Sequence, residues 1–226
     1  MSYFFCFFTV KFLSVIFQRN DFSVGKVSVH MLNFTDFDPS NYLHQLTDIE
    51  IERFFTFTNN QRKQEFVATR ILRHQLFGLN HIYYDAIGAP YIKDDGYISI
   101  SHTKNCVGIA FSKDFKIGLD IEFVRTKISA IKHKFLSVNE LEKFDCDSLV
   151  ELTKIWSAKE SLYKVSGKNG INFRTQLELE KIANDKWRGK IINDDTILSA
   201  DLKIIEFEDK IISVNITNCE KTEHSL

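Results

Sequence analysis

Residues 97–122 read YISISHTKNCVGIAFSKDFKIGLDIE. Three short segments of this stretch alternate apolar and polar residues. Ile98 and Ile100 alternate with Ser99 and Ser101. Val107, Ile109 and Phe111 recur in the second segment, and Ile117, Leu119 and Ile121 in the third. A period of two predicts three strands, each with one face toward a core. Thr103-Lys104-Asn105 supplies the turn between the first two, and a joint falls near residue 114.

Upstream, Lys26–Leu32 (KVSVHML) alternates in the same way and reads as a strand. Residues 33–47 are polar, contain Pro39, and lead through a loop to a short helix. A helix is predicted over Asp48–Phe55, and a stronger one over Asn60–Phe77, where Phe66, Val67, Ile71 and Leu76 recur at helical spacing before Gly78, a C-cap signal. Arg62, Lys63, Arg70 and Arg73 read as a solvated basic face of this helix. Downstream come two short helices, the second opened by the capping box Ser137-x-x-Glu140. A long helix over Ser148–Ser166, stopped by Gly167, follows, and then strand-like segments near 177–182, 187–192, 202–207 and 211–216. Strand, helix, then strands therefore occurs twice with no flexible linker. That order predicts an α+β fold, with residues 23–114 and 115–218 as its halves, rather than a doubly wound parallel sheet.

Composition narrows the function classes. The 226 residues are 44% hydrophobic and 26% charged, which excludes a disordered or coiled-coil chain. With 29 basic and 30 acidic residues, the net charge of −1 offers no bulk attraction to nucleic acid or anionic lipid. Cys6, Cys106, Cys146 and Cys219 lie far apart, in no zinc or disulfide pattern, as expected of reduced thiols in the cytoplasm. Residues 3–17 (YFFCFFTVKFLSVIF) lack the basic region and cleavage site of a signal peptide, and are too short for a membrane span. They read best as part of an extension, residues 1–22, that adds nothing to the fold; a weak membrane anchor and a core strand are the alternatives.

Two places carry chemistry. On the KIGLDIE strand the apolar residues share one face, which leaves Asp120 and Glu122 together on the other, their α-carbons about 6.5–7 Å apart. Two such carboxylates repel unless a cation lies between them, and Mg²⁺ takes one or two carboxylates with water and substrate phosphates; an exposed acidic strand face is the plainer alternative. On the long helix, Trp156, Glu160 and Lys164 follow at i, i+4, i+8 and line one stripe. Glu160 would bring a third carboxylate to the Asp120/Glu122 pair, with Lys164 and neighbouring Lys159 as cations beside a phosphate. A surface Glu–Lys pair is the alternative. Ser101 and His102, near the basic helix, would form an anion site; a structural histidine is the plainer alternative.

These residues resemble a family. ISISH at 98–102, IGLDIE at 117–122, WSAKESLYK at 156–164 and GKNG at 167–170 are similar to the signature blocks of the 4′-phosphopantetheinyl transferases. TRILR at 69–73 and GAPYI at 88–92 resemble the surfactin-type (Sfp-like) monomeric branch. The blocks keep the family's order over residues 27–215. The resemblance implies a pseudo-dimer of two similar α+β subdomains, with coenzyme A in the cleft between them and Mg²⁺, or Mn²⁺, as cofactor. It implies transfer of 4′-phosphopantetheine to a serine of an acyl or peptidyl carrier protein of fatty-acid, polyketide or nonribosomal-peptide synthesis, with release of 3′,5′-ADP. Asp120, Glu122 and Glu160 would then be metal ligands, with Glu160 or Glu122 as the base. His102, with Ser101, would meet the 3′-phosphate and Lys164 the pyrophosphate, and the backbone of Gly88-Ala89-Pro90 would embrace adenine. Many members carry a basic residue where this chain has Ala89; Arg62, Lys63 or Arg70 would replace it. A silent coenzyme A or carrier-protein binder of the same fold, and an unrelated Mg²⁺-dependent phosphohydrolase, are the competing readings. Neither nucleic acid nor membrane is an expected partner.

Overall fold

The computed structural model describes residues 7–12, 15–93, 96–193 and 196–221. Two antiparallel sheets organise the chain. The first contains β1 (Phe7–Phe12), β2 (Val15–Val24), β3 (Val27–Phe34), β4 (Tyr83–Tyr84), β5 (Pro90–Ile92), β6 (Gly96–Thr103) and β7 (Cys106–Ser112), in the order β1-β2-β3-β7-β6-β5-β4. The second contains β8 (Leu119–Phe123), β9 (Leu177–Lys181), β10 (Lys186–Asn193), β11 (Thr196–Phe207) and β12 (Lys210–Asn215), in the order β8-β12-β11-β10-β9, with β13 (Glu220–Lys221) paired to β11. In each sheet a leading strand, β3 or β8, pairs with the closing strand of its half, β7 or β12. That closing strand then pairs with the one just before it. The α+β expectation and the repeated order of elements therefore hold.

Two 18-residue helices cover the sheets. The helix α2 (Asn60–Phe77), which follows α1 (Asp48–Thr56), is capped by the Asn59 side chain accepting from Arg62 N at 3.0 Å, and ends at Gly78 with φ +62°. Its Val67, Ala68 and Leu72 are fully buried against Phe34, Val107 and Ile109 of the first sheet. After α3 (Lys127–Ile131) and α4 (Val138–Lys143) comes α5 (Leu149–Ser166), capped by Ser148 and stopped at Gly167 in the left-handed region. Leu152, Ile155 and Leu162 of α5 pack on Trp187 and Leu202. Burying each such side chain contributes about 1.5–3 kcal/mol. A third core lies between the sheets, where Val29, Met31 and Ala110 meet Leu119, Ile121, Ile212 and Val214.

Three expectations are corrected here. Residues 15–22 are not an appendage: β2 pairs with β3 from Phe17↔Phe34 to Val24↔Val27. Phe17 is 6% exposed in the helix-facing core, and Phe22 is 5% exposed in the inter-sheet core, edge-on to Phe207 at 5.3 Å. Of the remaining residues in that segment, 1–6, 13 and 14 lie outside the described residues, and β1 pairs with β2. Two of the four basic residues of α2 leave the expected solvated face. Arg70 and Arg73 are buried, and both ion-pair with Glu50 of α1, at 3.1 and 2.9 Å. Finally, the Asp120 side of β8 is covered rather than exposed.

The seam that covers it positions the site. β8 pairs with β12 on one side. Its other side meets serine hydroxyls of β6: Leu119 N–H donates to Ser99 Oγ at 2.9 Å, and Ile121 N–H to Ser101 Oγ at 3.1 Å. Two glycines permit the approach. A β-carbon on Gly108 would lie 2.4 Å from Ile121 Cδ1, and one on Gly118 would lie 2.1 Å from the Ser161 carbonyl of α5.

Candidate active site

With Leu119 and Ile121 turned into the inter-sheet core, Asp120 and Glu122 face α5. Asp120 is 5% exposed. Its Oδ1 accepts from Ser101 Oγ at 3.2 Å and from Lys164 Nζ at 3.1 Å, while its Oδ2 is buried with no partner. Lys164 also donates to the Leu119 carbonyl at 2.6 Å. Glu122 accepts from Trp156 Nε1 at 3.1 Å and from Arg125 at 3.3 Å. The stripe Trp156, Glu160 and Lys164 therefore meets β8 along its acidic face.

The carboxylates act on one another. Burial, then the charges of Asp120 and Glu122, push the Glu160 carboxyl up to about 7, with Lys164 opposing them. Burial and Asp120 raise Glu122 as well, against the hydrogen bonds from Trp156 and Arg125. One buried and two half-buried carboxylates that repel one another, one with an orphaned oxygen, fit a hard divalent cation. Among the described residues, however, no group of three or more His, Cys, Asp or Glu side chains is already gathered into a metal-holding cluster.

At the end of β6, His102 Nε2 stands 2.8 Å from Arg62 Nη1 and 3.4 Å from Glu65 Oε2. Burial, with Arg62 and Lys164, depresses the imidazole below its ordinary range, opposed by Glu65 and Asp120. A guanidinium can only donate, so Arg62 Nη1 at 2.8 Å makes His102 Nε2 its acceptor. The Gly88–Pro90 loop is tied down by Asp85, whose Oδ1 accepts from Ile87 N and Ala89 N at 3.0 and 2.8 Å, and Gly88 takes φ +84° to make the turn. This loop walls a cavity of about 210 Å³ with Ser99, Tyr163, Lys164 and the 167–169 turn, and a second of about 220 Å³ toward Tyr91, Tyr97 and Lys116.

Four predicted ligands stand elsewhere. Lys159 is fully buried on the far side of α5, where its Nζ donates to Glu140 at 2.7 Å and to the carbonyls of Phe135, Phe173 and Leu177. It cannot also meet a phosphate. Arg70 is held by Glu50 and by the Tyr84 hydroxyl. Lys63 lies over the Phe54 ring at 5.0 Å, so Arg62 is the cation that accompanies His102. Ser101 is buried and directed at Asp120 rather than toward the cavity. Conversely, Glu65, Arg125 and Ser99 were not singled out. Only Ser99 left a signal, as the residue two before Ser101 on the same strand face.

Residues 116–214 match the family model of the 4′-phosphopantetheinyl transferase superfamily, and no curated protein matches the chain. The matched segment holds Asp120, Glu122, Glu160 and Lys164. That superfamily is one of transferases of phosphopantetheine groups. Among the described residues no helix is long and apolar enough to cross a membrane. The chain is thus similar, across residues 116–214, to the 4′-phosphopantetheinyl transferase superfamily.

Proposed function

We propose that this chain transfers the 4′-phosphopantetheine of coenzyme A to a serine of an acyl or peptidyl carrier protein, releasing 3′,5′-ADP. One observation carries the reading: Lys164 both contacts Asp120 of the buried carboxylate group and walls the cavity closed by the Gly88–Pro90 loop. A pyrophosphate needs a cation at its oxygens, and coenzyme A adds a separate 3′-phosphate that needs a second one. The Arg62–His102 pair supplies the second site, and the tied-down Gly88-Ala89-Pro90 backbone is suited to the adenine edge.

Asp120, Glu122 and Glu160 are the residues that would hold Mg²⁺ or Mn²⁺. When bound, the ion neutralises pyrophosphate charge, which phosphoryl transfer demands more than covalent catalysis. Lys164, whose side chain is 28% exposed beside Asp120, stabilises charge that grows on the leaving 3′,5′-ADP. The carrier serine oxygen bonds to the phosphorus that bears pantetheine. The bond from that phosphorus to the ADP oxygen breaks, and the oxygen keeps the electron pair. The serine proton passes to Glu160 or Glu122. The protein is proposed to act as a cytoplasmic monomer, with its two α+β halves forming the cleft.

The test is incubation with coenzyme A, Mg²⁺ and a panel of apo carrier proteins, followed by intact-mass spectrometry. The expected result is one added phosphopantetheine on at least one carrier, with stoichiometric 3′,5′-ADP. Coenzyme A binding without product would establish a silent binder, and 3′,5′-ADP released without any carrier would establish a phosphohydrolase.

A further inference from the structure

We infer that Ser101 is a positioning residue that fixes which oxygen of Asp120 is offered to the cation; the inference rests on the metal role proposed for Asp120. A serine hydroxyl has one proton to give. Ser101 Oγ already accepts the Ile121 N–H at 3.1 Å, and its proton goes to Asp120 Oδ1 at 3.2 Å. Lys164 Nζ takes the same Oδ1 at 3.1 Å. With Oδ1 engaged twice, the carboxylate is held with Oδ2 buried and unpartnered. An acceptor with negative charge and no donor is costly in a buried site, and a cation removes that cost.

The hydroxyl thus has two roles at once. It closes the open edge of β8, and it orients a candidate ligand side chain from behind. Ser99 provides the matched control. It closes the same edge two residues away, accepting Leu119 N–H at 2.9 Å, and among its hydrogen bonds none goes to a carboxylate.

Ser99→Ala, Ser101→Ala and Ser101→Thr separate the two roles. Mn²⁺ alone is titrated into each full-length protein and free Mn²⁺ is read by electron paramagnetic resonance, with a thermal melt of every sample. Both alanine variants leave one β8 N–H unpaired, so both should melt lower by similar amounts. Mn²⁺ affinity should hold in Ser99→Ala and weaken roughly 10- to 100-fold in Ser101→Ala, the range found when groups that orient metal ligands are removed. Ser101→Thr, which keeps the hydroxyl, should recover the affinity. Wild-type affinity in Ser101→Ala, or equal weakening in Ser99→Ala, would overturn the inference while leaving the metal reading intact. A wild-type protein that binds no Mn²⁺ would overturn both.

Discussion

The first strands offer a direct measure of how the fold is held. Phe17 and Phe22 sit in different cores, 6% and 5% exposed. Phe17 packs edge-on against Phe37 at 5.4 Å and Tyr42 at 5.6 Å, and Phe22 against Phe207 at 5.3 Å. Truncating a buried phenylalanine to alanine costs about 3–5 kcal/mol, the transfer term plus the cavity left behind. In a chain of this size each kcal/mol moves the melting temperature by about 2–4 °C. Phe17→Ala and Phe22→Ala should therefore each lower it by roughly 6–20 °C. The two sites share no core, so their costs should add to about 6–10 kcal/mol, comparable with the whole stability of a typical domain. Removing residues 1–22 deletes both rings and leaves β3, with its buried Val27, Val29 and Met31, as a bare edge that invites aggregation. The truncated chain should be insoluble or lack a cooperative melt by circular dichroism. A soluble truncated protein melting within about 2 °C of the full chain would refute the reasoning.

Further outcomes follow from the site. Glu160→Gln keeps shape and removes charge, so coenzyme A binding by calorimetry should persist while transfer falls by about 10²- to 10⁴-fold; near-normal turnover would move the base to Glu122. If the Arg62–His102 pair meets the 3′-phosphate, dephospho-coenzyme A should show the lower kcat/KM, and His102→Ala should narrow the gap. Lys159→Met strands the buried Glu140 carboxylate and should cost about 3–5 kcal/mol in a urea melt; an intact fold with only a raised KM for coenzyme A would return Lys159 to the cleft. Burial opposes ionisation of Asp201, but hydrogen bonds from Lys186 and Arg188 outweigh it and hold its carboxyl below the ordinary value. Its contribution is therefore present above the unfolded-state pKa of about 3.9 and lost as pH falls through the folded value, so Asp201→Asn should flatten the acid limb of stability.

Local signals explain what was legible. Ser148 and the stops Gly78 and Gly167 mark ends of α2 and α5 because helix ends are fixed by neighbouring residues alone. Period two gave β3, β6 and β7 for the same reason. β2 was hidden because Gln18, Arg19, Asn20 and Asp21 interrupt its alternation with four polar residues, although Asn20 is 2% exposed. The burial of Asp120 depends on β6 lying along β8, a contact that no spacing encodes. The direction of Lys159, by contrast, follows from helix geometry alone. At about 100° per residue, Lys164 lies only about 40° around the helix from Glu160, whereas Lys159 lies about 100° away. On a helix, adjacency in sequence is not adjacency in space.

That same angle explains how α5 serves two masters. On one side Lys159 runs into the core and ties the helix to Glu140, whose other oxygen accepts Leu179 N–H and whose own helix it caps through Ser137. On the other side Gly118 lets the helix backbone press against the start of β8, and Ser161 Oγ donates to the Ser213 carbonyl at 2.8 Å. Clamped from both sides, the helix has little freedom to roll or slide, so the directions of Trp156, Glu160 and Lys164 are set by packing before any ligand arrives. The strand that faces them is set from the other half of the chain, through Ser99 and Ser101. The acidic residues and Lys164 belong to the matched segment, but the hydroxyl that donates to Asp120, the Arg62–His102 pair and the Gly88–Pro90 wall lie before it. The residues of the proposed site therefore come from both sides of the seam between β6 and β8.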